Sequence, residues 1–419
     1  MALSQLPNRK QILSNFATLL SGMGLARVLT AVALILVARQ VGPGSYGQYV
    51  ASFSLAKLTS VMFAWGLDGW LLWRGGRADN LRVVAVNSGV ALTWKLLLSI
   101  LWFLSLYLLA GWLNPEVFPL PVLLITALIV WADDLTNTVW SVFKSTLQND
   151  ITFRVVTVVQ FFLVLITVVL VLTGVQELTT FLWARVVVTA AGCIGAIYLL
   201  RRRIGIAFVA RDMLPTFRAA APFAASLVLA LIYERADVTI VGQFLGTEQA
   251  GLYGPASTIV TSLFLIPASA YAVMVPVFTR AHAAADTGRF ASMYRLFLGV
   301  NALLGLGLTL ALVLSADWIM RLLYGPQFAE AGTVLAILSL VLGLRCVTFA
   351  LAAAVVGAGL QTRRIQAQTI VAVLSVLLNL MIVDVWGIRG VAWVYVLTEL
   401  VLLAGYWRAL APVRPRLLP

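Results

Sequence analysis

Gly42-Pro43-Gly44-Ser45-Tyr46-Gly47-Gln48-Tyr49 and Gly246-Thr247-Glu248-Gln249-Ala250-Gly251-Leu252-Tyr253 both spell Gly-x4-Gly-x-Tyr, 204 residues apart in a chain of 419. Each copy follows a long apolar run, the first of the chain and the seventh. A weaker echo sets Leu147-Gln148 against Leu360-Gln361. The recurrence predicts an internal duplication: an N-terminal lobe over 1–200, a cytoplasmic linker over 201–217 and a C-terminal lobe over 218–419. Six helices per lobe is an even number, so both copies enter the membrane from the same side. Parallel repeats related by an axis along the membrane normal are a transporter architecture, with the transport path between the halves.

Working outward from the repeat, the composition excludes a soluble fold. The chain is 62% hydrophobic and 11% charged, against roughly 45–50% apolar and about 25% charged in soluble domains. At about 20 apolar residues per spanning helix, a dozen spans consume the length and leave no folded domain outside the membrane. The apolar runs predict twelve helices at about 12 to 38, 46 to 73, 83 to 111, 119 to 146, 153 to 174, 179 to 200, 218 to 245, 250 to 279, 294 to 316, 329 to 357, 365 to 384 and 389 to 408. The expected fold is therefore an all-α polytopic membrane protein of two six-helix lobes around a central cavity.

The formal charge of +13 raises nucleic acid as a partner in a soluble chain, but here it reports orientation. One set of connections holds 20 basic residues, including Arg74, Arg77, Arg82, Arg201, Arg202, Arg203, Arg211, Arg414 and Arg416. The other set holds Arg39, Arg321 and Arg389. This asymmetry places both termini in the cytoplasm and agrees with an alternation of twelve helices. The linker that opens with Arg201-Arg202-Arg203 reads as a segment lying on the anionic inner leaflet. Inner segments near 201–217 and 280–293 are the longest on that side, and the longest outer connection runs from about Asp317 to Phe328. Met1 to Gln11 is short and polar, and the apolar run after it is too long for a signal-peptide core, so no cleaved leader is expected.

Cys193 and Cys346 fall in apolar runs and suggest neither a disulfide nor a metal centre, and His282 stands in a loop beside Arg280. No Gly-x4-Gly-Lys-Ser/Thr loop occurs, which argues against direct ATP drive. Six basic side chains fall inside the predicted spans: Arg27, Lys57, Lys95, Arg185, Arg235 and Arg345. Six acids join them: Asp68, Asp133, Asp134, Glu234, Asp237 and Glu399. Each costs roughly 2.5–3.5 kcal/mol at the centre of a lipid-facing helix, so they are expected to face one another or water.

Two readings of these charges stay open: buried pairs that fasten helices, or a hydrated polar layer that binds an anion. On the second reading Arg27 and Arg235 occupy comparable positions in the two halves, as guanidinium groups suited to phosphate oxygens. Glu234 and Asp237, three apart on one helix, and Asp133 with Asp134, followed by Asn137, form two acidic spots able to bind a coupling H+ or Na+. The competing view is that these acids neutralise Lys95 or Arg345. Pro222, Pro255, Pro267 and Pro276 are candidates for bending helices in a rocking motion or for packing alone.

The run Arg39-Gln40-Val41-Gly42-Pro43-Gly44-Ser45-Tyr46-Gly47-Gln48-Tyr49, followed by Phe63-Ala64-Trp65-Gly66-Leu67, resembles the opening of bacterial O-antigen and polysaccharide flippases. Leu-Tyr-Gly-Pro-Gln-Phe at 323–328 resembles their outer loop before helix ten. These proteins belong to the multidrug/oligosaccharidyl-lipid/polysaccharide (MOP) exporter superfamily, which includes the MATE fold. The two extra C-terminal helices of some lipid II flippases are not expected here, which counts against that branch. The resemblance implies movement of an undecaprenyl-pyrophosphate-linked oligosaccharide across the inner membrane by alternating access. It also implies cavity cations on Arg27, Lys57, Arg235 and Arg345, and ion coupling by H+ or Na+ at Asp133, Asp134, Glu234 and Asp237. No cofactor, metal or nucleic acid is expected; the expected partners are the lipid-linked oligosaccharide, membrane lipids, a polysaccharide polymerase and a chain-length regulator. The alternatives are a cation-coupled multidrug exporter of the same superfamily and, as an enzyme, a membrane glycan ligase or polymerase. The short outer connections disfavour an enzyme.

Overall fold

The computed structural model describes residues 9–75, 80–146, 148–284 and 286–412. Arg77, Leu147, Arg414 and Arg416 lie outside the described residues. The described chain is built of helices, because in lipid the backbone N–H and C=O groups of so apolar a segment are satisfied within its own turns. In chain order these are α1 (Arg9–Thr59), α2 (Val61–Ala64), α3 (Leu67–Gly75), α4 (Leu81–Ala110), α5 (Leu120–Ser145), α6 (Asn149–Leu172), α7 (Leu178–Arg203), a 3-10 turn (Ala210–Asp212) and α8 (Met213–Leu263). There follow α9 (Leu265–Ala283), α10 (Thr287–Tyr324), a second 3-10 turn (Pro326–Phe328), α11 (Ala331–Gly357) and α12 (Gln361–Ala409).

Among the described residues nine helical stretches are long and apolar enough to cross a membrane. The stretches Gly24–Ala64, Ala210–Ala283 and Gln361–Ala409 hold 41, 74 and 49 residues, more than one crossing uses. Each contains a glycine that leaves helical geometry: Gly42, Gly246 and Gly387. A cut at each glycine would give the twelve segments of the sequence reading. The breaks are single residues, where the sequence suggests loops over 39–45 and 246–249.

Gly42 has φ 78° and ψ 170°, and Gly246 has φ 87° and ψ −177°. The first glycine of each Gly-x4-Gly-x-Tyr copy thus adopts the same left-sided conformation, which L side chains resist. Pro43 can start the next helix at once, because its missing N–H has no partner to lose in a first turn. The same spacing recurs further on. Ser60 N–H bonds Lys57 O at 3.3 Å and Phe264 N–H bonds Thr261 O at 3.3 Å, each closing one tight turn between two helices. Pro267 follows the second break and has no N–H to return to Leu263, which favours an interruption there. The weaker echo is one residue out of register. Gln148 N–H reaches back five residues to Phe143 O, and its structural counterpart is Leu360, which reaches Val355 O, each at 2.9 Å.

Helix α3 is separated from α2 by Trp65 and Gly66, both at positive φ (43° and 64°). The indole of Trp65 stacks on Phe217 with centroids 4.4 Å apart, and its Nε1–H donates to Phe217 O at 3.2 Å. A Cβ at Gly66 would collide with the backbone of Phe223 and Ala224. Gly66→Ala combines this clash with a left-handed backbone that alone costs roughly 1–2 kcal/mol. The variant is expected to melt several degrees below wild type in detergent, whereas Gly44→Ala, with open space around it, should match wild type.

The chain divides into two compact units, Met1–Leu231 and Ile232–Pro419, with the boundary inside α8. In the first, α5 packs against α1, α3, α4 and α7. In the second, α11 packs against α9, α10 and α12. Small residues let α10 and α11 close up, and a Cβ on Gly305 would lie 2.7 Å from Gly343 O. Such close approach supplies dispersion contacts that substitute for a hydrophobic driving force in lipid. Leucines 97, 101, 104 and 108 on α4 and 303, 310 and 314 on α10 remain exposed, as a lipid-facing surface requires.

Two connections are shorter than the sequence suggests. α9 runs to Ala283 and α10 starts at Thr287, so the inner segment 280–293 is almost wholly helical. α10 also continues past Asp317 to Tyr324, because nothing in Asp-Trp-Ile-Met-Arg-Leu-Leu breaks a helix before Gly325. The stretch after Arg203 is held on the first unit. Ala207 N–H donates to Ala85 O at 3.1 Å, and Trp94 Nε1–H donates to Met213 O at 2.8 Å.

Candidate functional site

Inside the first unit a cavity of about 420 Å³ opens among α1, α5, α6 and α7. Its walls follow helical periodicity. α5 contributes Asp133, Asn137, Trp140 and Lys144, spaced four, three and four residues apart. α7 contributes Arg185, Thr189 and Gly192, and α1 contributes Arg27, Thr30, Phe53 and Lys57. Residues at i, i+4 and i+7 share one helix face, so each helix turns one polar stripe inward. Thr30 Oγ1–H donates to Gln160 Oε1 at 2.9 Å and ties α1 to α6.

Four basic side chains (Arg27, Lys57, Lys144 and Arg185) and one carboxylate (Asp133) line this space. Arg185 is the most constrained. Its guanidinium donates to the Tyr49 hydroxyl, stands 5.6 Å from the Phe53 ring centroid and approaches Asp133 Oδ2 at 3.9 Å. Tyr49 is the last residue of the first Gly-x4-Gly-x-Tyr, so the repeat motif delivers a hydroxyl to the cavity arginine. The other charges are less enclosed: the Asp133 carboxylate is 37% exposed, Lys57 is half-buried and Arg27 exposed. The net excess of cations makes the cavity attractive to an anion.

The remaining span charges are largely engaged in pairs. Lys95 Nζ, fully buried, contacts Asp68 Oδ1 at 2.7 Å and Asp134 Oδ2 at 2.5 Å. Thr138 Oγ1–H adds a bond to Asp68 Oδ1 at 2.8 Å. This cluster fastens α3 to α4 and α5. Asp134 therefore serves a different neighbour from Asp133, and the two do not form one acidic spot; successive helical residues point about 100° apart.

In the second unit Arg345 approaches Glu399 Oε2 at 3.4 Å and the Tyr395 hydroxyl at 3.4 Å. Its guanidinium lies 4.7 Å from the Tyr233 ring centroid and 4.8 Å from that of Phe264. Tyr233 O–H donates to the same Glu399 oxygen. Asp237 is buried, accepting from Tyr253 O–H at 2.7 Å and from Val238 N–H at 2.7 Å. Glu234 is exposed, so it and Asp237 are not a facing pair: the roughly 60° between residues three apart suffices at a bundle edge to separate them. Arg235 is half-buried. Relative to their kink glycines, Arg27 stands fifteen residues before Gly42 and Arg235 eleven before Gly246, so the two are one helical turn out of equivalence.

The ion pairs of the two units have opposite polarity. Asp133 lies fifteen residues before Gln148, and Arg345 lies fifteen before Leu360. Arg185 follows Gly174 by eleven residues, and Glu399 follows Gly387 by twelve. Corresponding helices thus carry acid then base in the first unit and base then acid in the second. Sequence reasoning missed Lys144 as a cavity group, and the hydroxyls of Tyr49, Tyr233 and Tyr395 as partners of the span charges. The four-three-four spacing along α5 was the signal for Lys144.

A family model described as polysaccharide biosynthesis protein matches residues 36–333. The chain belongs to this family. No curated protein matches it in sequence. Among solved structures, an inward-facing MATE family multidrug resistance transporter of the MOP superfamily aligns at TM-score 0.76 and 14% identity, over 93% of this chain and 95% of that one. The lipid II flippase MurJ, in an inward closed conformation, aligns at TM-score 0.73 and 14% identity, over 94% and 86%. A MOP superfamily transporter from Pyrococcus furiosus, described as having a binding pocket of reverse polarity, aligns at TM-score 0.64 and 14% identity, over 98% and 97%. At these identities the matches show the fold: this member of the polysaccharide biosynthesis family is an all-α, multi-pass membrane protein with a MATE/MOP architecture. The proteins of these three structures are described as transporters or as a flippase. Family and fold together support a flippase or transporter.

Proposed function

We propose that this family member is a flippase for an undecaprenyl-pyrophosphate-linked oligosaccharide. Its cargo on this reading is a repeat unit of O-antigen, capsule or exopolysaccharide, moved across the bacterial inner membrane by alternating access with both termini in the cytoplasm. The carrying observation is the first-unit cavity, in which four basic side chains surround one carboxylate. A diphosphate is the invariant anionic part of such a substrate. Guanidinium forks and ammonium donors hold its oxygens through charge-assisted bonds. Its volume lies in the range of small-ligand pockets, so it suits the diphosphate, with the glycan and prenyl chain outside it.

Arg27 and Lys57 are assigned as head-group ligands, and Arg185 as a third held ready by Tyr49. Arg235 and Arg345 are retained as cations of the second unit, Arg345 in a structural pair with Glu399. Of Asp133, Asp134, Glu234 and Asp237, only Asp133 lines this cavity, and H+ or Na+ coupling is assigned to it. Neutralising Asp133 raises the cavity's positive charge, which links ion binding to anion affinity. A polymerase and a chain-length regulator are proposed partners. A cation-carrying drug would meet repulsion here, which favours the lipid-linked anion over the multidrug reading.

The test is reconstitution into liposomes bearing a fluorescent prenyl-diphosphate oligosaccharide, with an impermeant quencher reading the leaflet. Protein-dependent exchange is expected under a proton or sodium gradient; rates equal to protein-free liposomes under both would overturn the proposal. In the same assay Asp133→Asn should retain exchange but lose its dependence on the gradient. Gradient dependence equal to wild type would remove Asp133 from the coupling role.

A further inference from the structure

A second cavity, of about 580 Å³, lies at another place in the first unit, where α3, the start of α4 and the start of α8 meet. Trp70 and Trp73 supply indole surface, and Arg74 and Arg82 supply charge. Asn80, Asn87 and Thr216 supply hydrogen-bonding groups. Among the described residues neither arginine makes an ion pair and Asp212 is the one carboxylate in the lining, 3.9 Å from the exposed Arg211. The proposed function makes no use of this site.

Three features of the cavity favour a phosphate. The first turn of α4 borders it, and a helix start presents N–H groups without intrahelical partners. Asn80 Oδ1 accepts only Val83 N–H, at 3.1 Å, leaving other first-turn donors of α4 uncapped by it. Asn87 Nδ2 is buried in the wall and has no partner among the described residues, an arrangement that costs free energy unless a ligand or water accepts from it. Arg74 and Arg82 complete a donor set that meets no carboxylate partner among the described residues. Trp70 is 5% exposed and Trp73 46%, so one indole is fixed in the floor and the other forms an open rim. Amphipathic indoles of this kind belong at the level of lipid head groups.

We infer that this cavity binds the phosphate-bearing head group of a lipid, as a site separate from the Arg27 cavity. Arg74 and Arg82 hold the phosphate, Asn87 donates a hydrogen bond from below, and the two indoles cover the remainder of the head group. Two lipids carry this chemistry, an anionic bilayer phospholipid and a prenyl diphosphate. The inference concerns binding alone and does not depend on whether the protein flips its cargo.

Purified full-length protein is titrated in detergent with phosphatidylglycerol and, separately, with undecaprenyl diphosphate, and bound lipid is counted by native mass spectrometry. Arg74→Ala/Arg82→Ala should weaken at least one probe by roughly tenfold or more, the loss expected from removing charge-assisted bonds. Val86→Trp, which fills the cavity and keeps both arginines, should produce the same loss. Loss of phosphatidylglycerol alone identifies a bilayer lipid, and loss of the diphosphate alone identifies the carrier lipid. Equal binding of both probes by wild type, the double arginine variant and Val86→Trp overturns the inference, as does a loss in the arginine variant that Val86→Trp does not share. Melting temperatures within a degree or so of wild type confirm that each variant is folded.

Discussion

Lys95→Met is expected to lower the stability of the first unit by roughly 3–5 kcal/mol, the usual cost of removing one partner from a buried ionic group. The Lys95 ammonium is fully buried between two carboxylates, at 2.7 Å from Asp68 and 2.5 Å from Asp134. Without it, two acids face each other across an apolar seam, and one must take up a proton or draw in water. Desolvation makes each option expensive. Asp68 sits in the short helix α3, just beyond the Trp65–Gly66 break, so the loss should also loosen α3. A thermal melt in detergent checks this. The triple variant Lys95→Met/Asp68→Asn/Asp134→Asn should regain most of the lost stability, since neutral groups tolerate the same burial. A single variant that melts like wild type would show that the cluster contributes little.

Glu399→Gln is the second large effect. Arg345 would keep two aromatic faces and a phenol but lose its only carboxylate in the cluster. Glu399 is fully buried, and both Glu399 Oε1 and Arg345 Nε already lack partners. A network that is partly satisfied from the start has little left with which to absorb a further loss. A destabilisation of roughly 3 kcal/mol or more is expected. The exchange Arg345→Glu/Glu399→Arg should recover more than half of it, because the corresponding helices of the first unit carry this reversed polarity in Asp133 and Arg185. Failure of the exchange to recover any stability would mean that the surrounding rings, Tyr233, Phe264 and Tyr395, fix the direction of the pair.

The fold was legible where local chemistry decided it. A chain so poor in charge can only be helices in a membrane, and Gly42 and Gly246 announced the two kinks through their shared motif. What the motif did not announce was the size of the break: one residue of positive φ turns the chain without a loop, since Pro43 and Thr247 can begin the next helix directly. Trp65–Gly66 belongs to the stretch that resembles the family, but its αL pair depends on Phe217 and Phe223, some 150 residues away. That long-range contact leaves no periodic trace.

The charged residues divided in the same manner. Arg27, Lys57 and Asp133 were recognised from their cost in lipid, and they line one cavity. Which acid meets which base was not recoverable, because Asp133 and Asp134 differ by one helical step and that step sends them to Arg185 and Lys95. Lys144 escapes the sequence reading, although its spacing from Asp133, Asn137 and Trp140 marks a single face of α5. The pairing of Arg345 with Glu399 requires α11 against α12, which only packing supplies.

The central claim is that the cations of the first-unit cavity hold a diphosphate. It is tested most directly by the affinity of purified protein for a water-soluble, short-chain prenyl diphosphate, compared with Arg27→Ala/Lys57→Ala at matched melting temperature. Loss of two charge-assisted contacts should weaken binding by roughly a hundredfold, with Arg27→Lys retaining an intermediate affinity. Unchanged binding in the double alanine variant would contradict the account.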